Sequence, residues 1–70
     1  MSIHERIRSR LVRVRDASEY VGVSKWKIRQ LVASGDLPIV QDDEHAPFLI
    51  DKADLDLWIE KSKHRRYDST

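Results

Sequence analysis

The strongest constraint on this chain is a spacing: Ala17, then Gly22-Val23-Ser24, set between two short stretches whose apolar residues recur at helical intervals. Val14, Ala17 and Val21 stand at i, i+3 and i+7, which predicts a helix from about Val14 to Val21 with one buried stripe, widened by Tyr20. Ile28, Leu31 and Val32 form a second inward stripe on a helix of about three turns, Lys25 to Ser34. Ala17 is small where two helices must approach closely. Gly22 can enter the left-handed backbone region without steric cost, so it ends the first helix. Ser24 can accept an otherwise orphaned N–H at about Trp26 or Lys27, Val23 plugs the turn, and Gly35 terminates the second helix. Arg13, at the cap position of the first helix, has no side-chain acceptor to offer. The pattern is that of a helix-turn-helix.

Beyond it, Pro38 forbids helix continuation. Ile39-Val40 and Phe48-Leu49-Ile50 are short β-favouring runs separated by the polar segment Gln41 to Pro47, which predicts a two-stranded hairpin, or wing. Pro47 at the strand start suits an edge. Strands this short must pack on the helices. Asp51 then caps a final helix, with Asp54 as an acid in its first turn and Leu55, Trp58 and Ile59 as its buried face. Ala53 is expected in a close contact, Leu57 extends the buried face, and Phe48 and Trp58 close one end of the core. Leu11 and Val12 read as a lead into the first helix. The fold class is therefore mainly α with a small β-hairpin, a winged helix-turn-helix. It divides into a basic arm (1–10), a winged helix-turn-helix domain (11–61) and a basic flexible tail (62–70). Ile3 and Ile7 allow a short helix in the arm, which reads either as a segment that orders on DNA or as a solvated tail.

Seventy residues make at most one small domain. With no cysteine, neither a disulfide nor a thiolate-bound zinc can staple it. No apolar run suggests a signal peptide or a membrane span, so a cytoplasmic protein is expected. His4, His45 and His64 lack ligand spacing, so no metal is expected. No phosphate-cradling glycine motif or nucleophile–base pair points to an enzyme or a cofactor.

The formal net charge is only +1, but it is segregated. Residues 1–35 carry eight basic against three acidic side chains, residues 36–60 one against eight, and residues 61–70 four against one. One face can thus attract phosphates while another repels them. Lys25 and Lys27 oppose the dipole at the start of their helix, and a phosphate or a base edge would supply the missing negative partner. Arg29 and Gln30 are expected nearer the bases. Arg13 and Arg15 flank the start of the first helix, where backbone N–H groups and a guanidinium can face one phosphate. Arg6, Arg8 and Arg10 can track phosphates with little sequence information. Trp26 lies off the centre of the core stripe. It is either an exposed ring packing on sugar, a thymine methyl or a neighbouring subunit, or a half-buried ring over the seam between helix and wing. Asp42, Asp43 and Glu44 would repel a DNA backbone. The loop bends away from DNA, meets a basic protein surface, makes contact through His45 and backbone amides, or is simply a solubilising acidic loop.

Taken together, the segment from Leu11 to Val40 followed by Phe48 to Glu60 resembles the excisionase-type, MerR-like winged-helix DNA-binding domains. The likeness rests on ASEYVGVS at the turn, SGDLP at the helix exit and DLDLWI in the closing helix. It implies a recombination directionality factor of a phage or mobile element in a bacterial host cell, associated with the nucleoid when bound. Such a protein binds repeated attachment-region sites on double-stranded DNA, bends them, assembles side by side and assists an integrase of tyrosine or serine type. Ser24, Lys25, Lys27, Arg29 and Gln30 fall on the recognition segment, and Gln41 to Pro47 on the wing. Two features depart from the pattern: Arg13 stands where threonine or serine is usual, and the wing lacks arginines. A small transcriptional regulator on the same fold is one alternative. A protein-interaction adaptor using Trp26 and the acidic wing, without DNA binding, is the other.

Overall fold

The computed structural model describes residues 8–65. Its elements in chain order are β1 (Leu11–Val12), α1 (Val14–Val21), α2 (Lys25–Ala33), β2 (Ile50–Asp51) and α3 (Lys52–Ser62). Arg6, Ile3, Ile7, His4 and the tail beyond residue 65 lie outside the described residues.

The turn between α1 and α2 forms as the spacing predicts. Gly22 has φ +90° and donates its N–H to the Ser18 carbonyl at 2.8 Å, closing α1. The Ser18 hydroxyl donates to the Val23 carbonyl, which fixes the far side of the turn. The Ser24 hydroxyl accepts from the Lys27 N–H at 3.0 Å, the capping geometry that starts α2. Arg13 is extended and makes no side-chain cap, so α1 begins without one.

α2 ends at Ala33, one residue earlier than expected, with Ser34 as its C-cap. The Leu37 N–H then reaches back to the Leu31 carbonyl at 3.1 Å. This folds the exit over the end of the helix and buries Leu37, a core residue that helical periodicity does not reveal.

The small sheet differs from the expected hairpin. β1 pairs antiparallel with β2, Leu11 opposite Asp51 and Val12 opposite Ile50, so Leu11-Val12 is a strand rather than a lead-in. The Ile39-Val40 and Phe48-Leu49-Ile50 runs meet only at Val40 and Leu49, which exchange two hydrogen bonds of 2.8 Å each. The hairpin stays this short because Ile39 and Val40 are 39% and 43% exposed, with little apolar surface to hold a longer strand. The fold is a winged helix-turn-helix whose principal strand partner lies at the amino-terminal end of the domain.

Every element contributes to one core: Val12 from β1, Ala17 from α1, Ile28 and Leu31 from α2, Leu37 from the exit, Ile50 from β2 and Leu55 from α3. Val14, Tyr20, Val21, Val32, Phe48 and Trp58 pack around it half-buried. Leu57 is 52% exposed and Ala53 is exposed, so neither joins the buried face assigned to α3. Leu55 and Leu57 differ by about 200° around a helix, which puts them on opposite sides.

Two polar contacts lock α3 in place. Asp51 caps it, accepting from the Ala53 N–H at 2.9 Å and from the Arg10 guanidinium at 2.9 to 3.2 Å. These donors hold the Asp51 carboxyl below its ordinary pKa, Arg10 first and the Ala53 N–H second. The Tyr20 hydroxyl donates to Asp56 at 2.9 Å, and the Lys52 ammonium stands 5.4 Å from the Tyr20 ring centre. Among the described residues, no helix is long and apolar enough to cross a membrane.

Candidate nucleic-acid interface

α2 presents its polar side away from the core. Ile28 and Leu31 are buried, while Lys25, Trp26, Lys27, Arg29 and Gln30 are all exposed. At about 100° per residue, Trp26 falls nearly opposite the mean direction of Ile28, Leu31 and Val32. Gln30 is one turn further along the same strip. Lys25 and Arg29 flank that strip on one side and Lys27 on the other. The exposed face of α2 is thus an aromatic–amide centre between cations. Trp26, at 67% exposure, is no cover for the seam between helix and wing.

Arg13 and Arg15, at the start of α1, meet Arg29 from α2 around a shallow cleft floored by Val14, Pro47 and Phe48. Three guanidinium-bearing residues over an apolar floor suit a sugar–phosphate backbone, charge for the phosphate and apolar surface for the sugar. None of Arg13, Arg15, Lys25, Lys27 and Arg29 has a side-chain hydrogen bond or ion pair among the described residues. Their charge faces solvent. Arg29, expected nearer the bases, belongs by position to the cleft with the α1 arginines. Pro47 and Phe48, read in the sequence as strand residues, are the part of this site that sequence reasoning missed. No local pattern places residues 47–48 beside residues 13–15.

Arg10 is tied into the fold, unlike exposed Arg8. Its guanidinium is engaged by Asp51 and its carbonyl accepts from the Lys52 N–H at 3.0 Å. The pairing raises its pKa, through the hydrogen bond to Asp51 and then its charge.

The acidic loop is held in part by one of its own acids. The Asp43 carboxylate accepts from the backbone N–H groups of His45 at 2.8 Å and Ala46 at 3.0 Å, and the Gln41 amide donates to the Ala46 carbonyl at 2.8 Å. Asp43 is therefore a turn-former, its carboxylate adding to its own carbonyl, which also accepts from the Ala46 N–H at 3.0 Å. A second hollow is lined by Asp36, Pro38, Asp54, Leu57, Trp58, Lys61 and Ser62, two carboxylates and one ammonium, without the cationic excess of the first. Among the described residues no group of three or more metal-ligating side chains gathers.

With the geometry in place, the class is plain: a small helix-turn-helix domain with an exposed second helix. The family model for the helix-turn-helix domain matches residues 11–63, and the chain belongs to that family, a DNA-binding family that includes excisionase-like proteins. No match is found among curated proteins or solved structures.

Proposed function

We propose that this chain binds double-stranded DNA sequence-specifically as an excisionase, bending attachment-site DNA, assembling side by side on it and assisting an integrase. The observation that carries the reading is the disposition of α2. A capped helix anchored by Ile28 and Leu31 holds Lys25, Trp26, Lys27, Arg29 and Gln30 outward, and Arg13 and Arg15 extend the cationic surface to the start of α1. A helix of this size, cationic on its outer side, fits the major groove, with the α1 arginines on the flanking phosphates. The excisionase role rests on the likeness of the ASEYVGVS, SGDLP and DLDLWI segments and on family membership.

Footprinting across both ends of an integrated element, with and without its integrase, tests the proposal. Several helically phased protected sites beside the attachment core, strengthened by integrase, are expected. One site over a promoter would assign a transcriptional regulator instead. Binding without salt dependence, or to a basic protein only, would overturn the DNA reading.

A further inference from the structure

The feature of α2 that charge does not explain is Trp26. It is the most exposed large apolar residue among those described, 67% accessible, in the first turn of the helix that carries the cations. It belongs neither to the core nor to the half-buried residues packed against it. The core beneath is closed by Ile28, Leu31 and Leu37, and the turn by Val23 and the Ser18 hydroxyl. Its direction is the outward pole of α2, so a duplex that meets this helix meets the indole before it meets a lysine.

We infer that Trp26 is a specificity-determining residue whose ring packs on the 5-methyl group of a thymine in the major groove, with Gln30 reading an adenine beside it. The inference rests on the DNA-binding reading above. Thymine offers the one apolar group on the major-groove edge, and the matching chemistry on the protein is an apolar surface held out from the helix. An amide side chain is the natural partner of adenine, since it can accept from N6 and donate to N7. Trp26 and Gln30 are four residues apart, about 6 Å along the helix axis, or roughly two base-pair steps of about 3.4 Å. The site therefore contains a thymine within about two base pairs of an adenine. Lys25, Arg29 and Lys27, on either side of this strip, are placed to hold the two backbones rather than to select bases.

The test removes the methyl and nothing else. Duplexes enriched from a random-sequence pool by the full chain are resynthesised with deoxyuridine for thymidine, and affinities for both are compared at one salt concentration. The wild type is expected to lose about three- to tenfold on methyl removal. Trp26→Ala should bind the thymine duplex more weakly by a similar factor and bind both duplexes alike, with an unchanged circular dichroism spectrum. Trp26→Leu should restore part of the methyl preference. Arg15→Ala should weaken both duplexes equally and keep the wild-type ratio. Equal wild-type affinities, or a Trp26→Ala chain that retains the full ratio, overturn the inference while leaving DNA binding intact. Loss of DNA-free self-association in Trp26→Ala would also overturn it, by assigning the ring to a subunit contact. Failure to enrich any duplex, with no salt-dependent binding, would overturn the DNA reading and this inference together.

Discussion

The basic residues of 13–30 and the acidic residues of 36–60 are both dense, yet the molecule uses them in opposite ways. Five of the acids make contacts within the fold. Asp36 accepts from the Ser34 hydroxyl, Asp43 from two loop N–H groups, Asp51 from Ala53 and Arg10, Asp56 from Tyr20, and Glu60 from Lys63. The cations Arg13, Arg15, Lys25, Lys27 and Arg29 make no such contact among the described residues. Acids here cap helices, form turns and clamp α3 to α1. These cations stay exposed to solvent. A net charge near zero hides this division entirely, because it sums groups that are already satisfied with groups that are not.

The contrast can be broken most sharply on α2 itself. Ile28→Ala removes a fully buried side chain and should cost about 2–5 kcal/mol in denaturant unfolding. Substituting exposed Lys27 by alanine, one residue away, should leave stability within about 0.5 kcal/mol. If the two were equal, the assignment of inner and outer faces would be wrong.

Arg29→Ala should leave the thermal melt unchanged and weaken binding to selected and unrelated duplexes alike, with the salt slope falling by roughly one. Unchanged affinity would remove Arg29 from the interface. Within the acidic half, a neutral substitution should act on folding rather than on DNA affinity. Asp43→Ala strips the acceptor from the His45 N–H, while the Ala46 N–H keeps the Asp43 carbonyl, and is expected to cost about 1 kcal/mol, whereas Asp43→Asn, which keeps an acceptor, should cost less. A rise in DNA affinity with unaltered stability would instead mean that the loop faces the duplex. Ser24→Ala, by loss of the α2 cap, should cost about 1 kcal/mol in the same assay.

The smallest effect is pH-dependent. The folded Asp51 carboxyl titrates below its unfolded value near 3.8, so its contribution is fully present above that value and is lost as pH falls through the folded pKa. Asp51→Asn should flatten the stability profile below about pH 4 relative to the wild type. Because the Arg10 side chain is 78% exposed, salt should shrink the difference.

Much of this was legible in the residues. The limits of α1, the left-handed Gly22, the Ser24 cap on Lys27, the Asp51 cap and the outward cations of α2 all follow from spacing and cap chemistry. The departures have two origins, distance along the chain and direction around a helix. Leu11-Val12 is too short to show a period, and its partner β2 lies some forty residues on. Ile39-Val40 has the composition of a strand, yet β-favouring side chains form one only where a surface waits to be covered. Leu57 looked like part of a stripe that the direction of Leu55 excludes.

The helices, the turn between them and the polar side of α2 are all written locally in the chain. Those are settled by interactions within about four residues, where hydrogen-bond period and capping act. The pairing of β1 with β2, the closing of the core by Leu37 and the cleft that Arg13, Arg15 and Arg29 share with Phe48 emerge from packing alone. Those groups are separated along the chain and meet because burying one small core leaves few ways to arrange three helices around it.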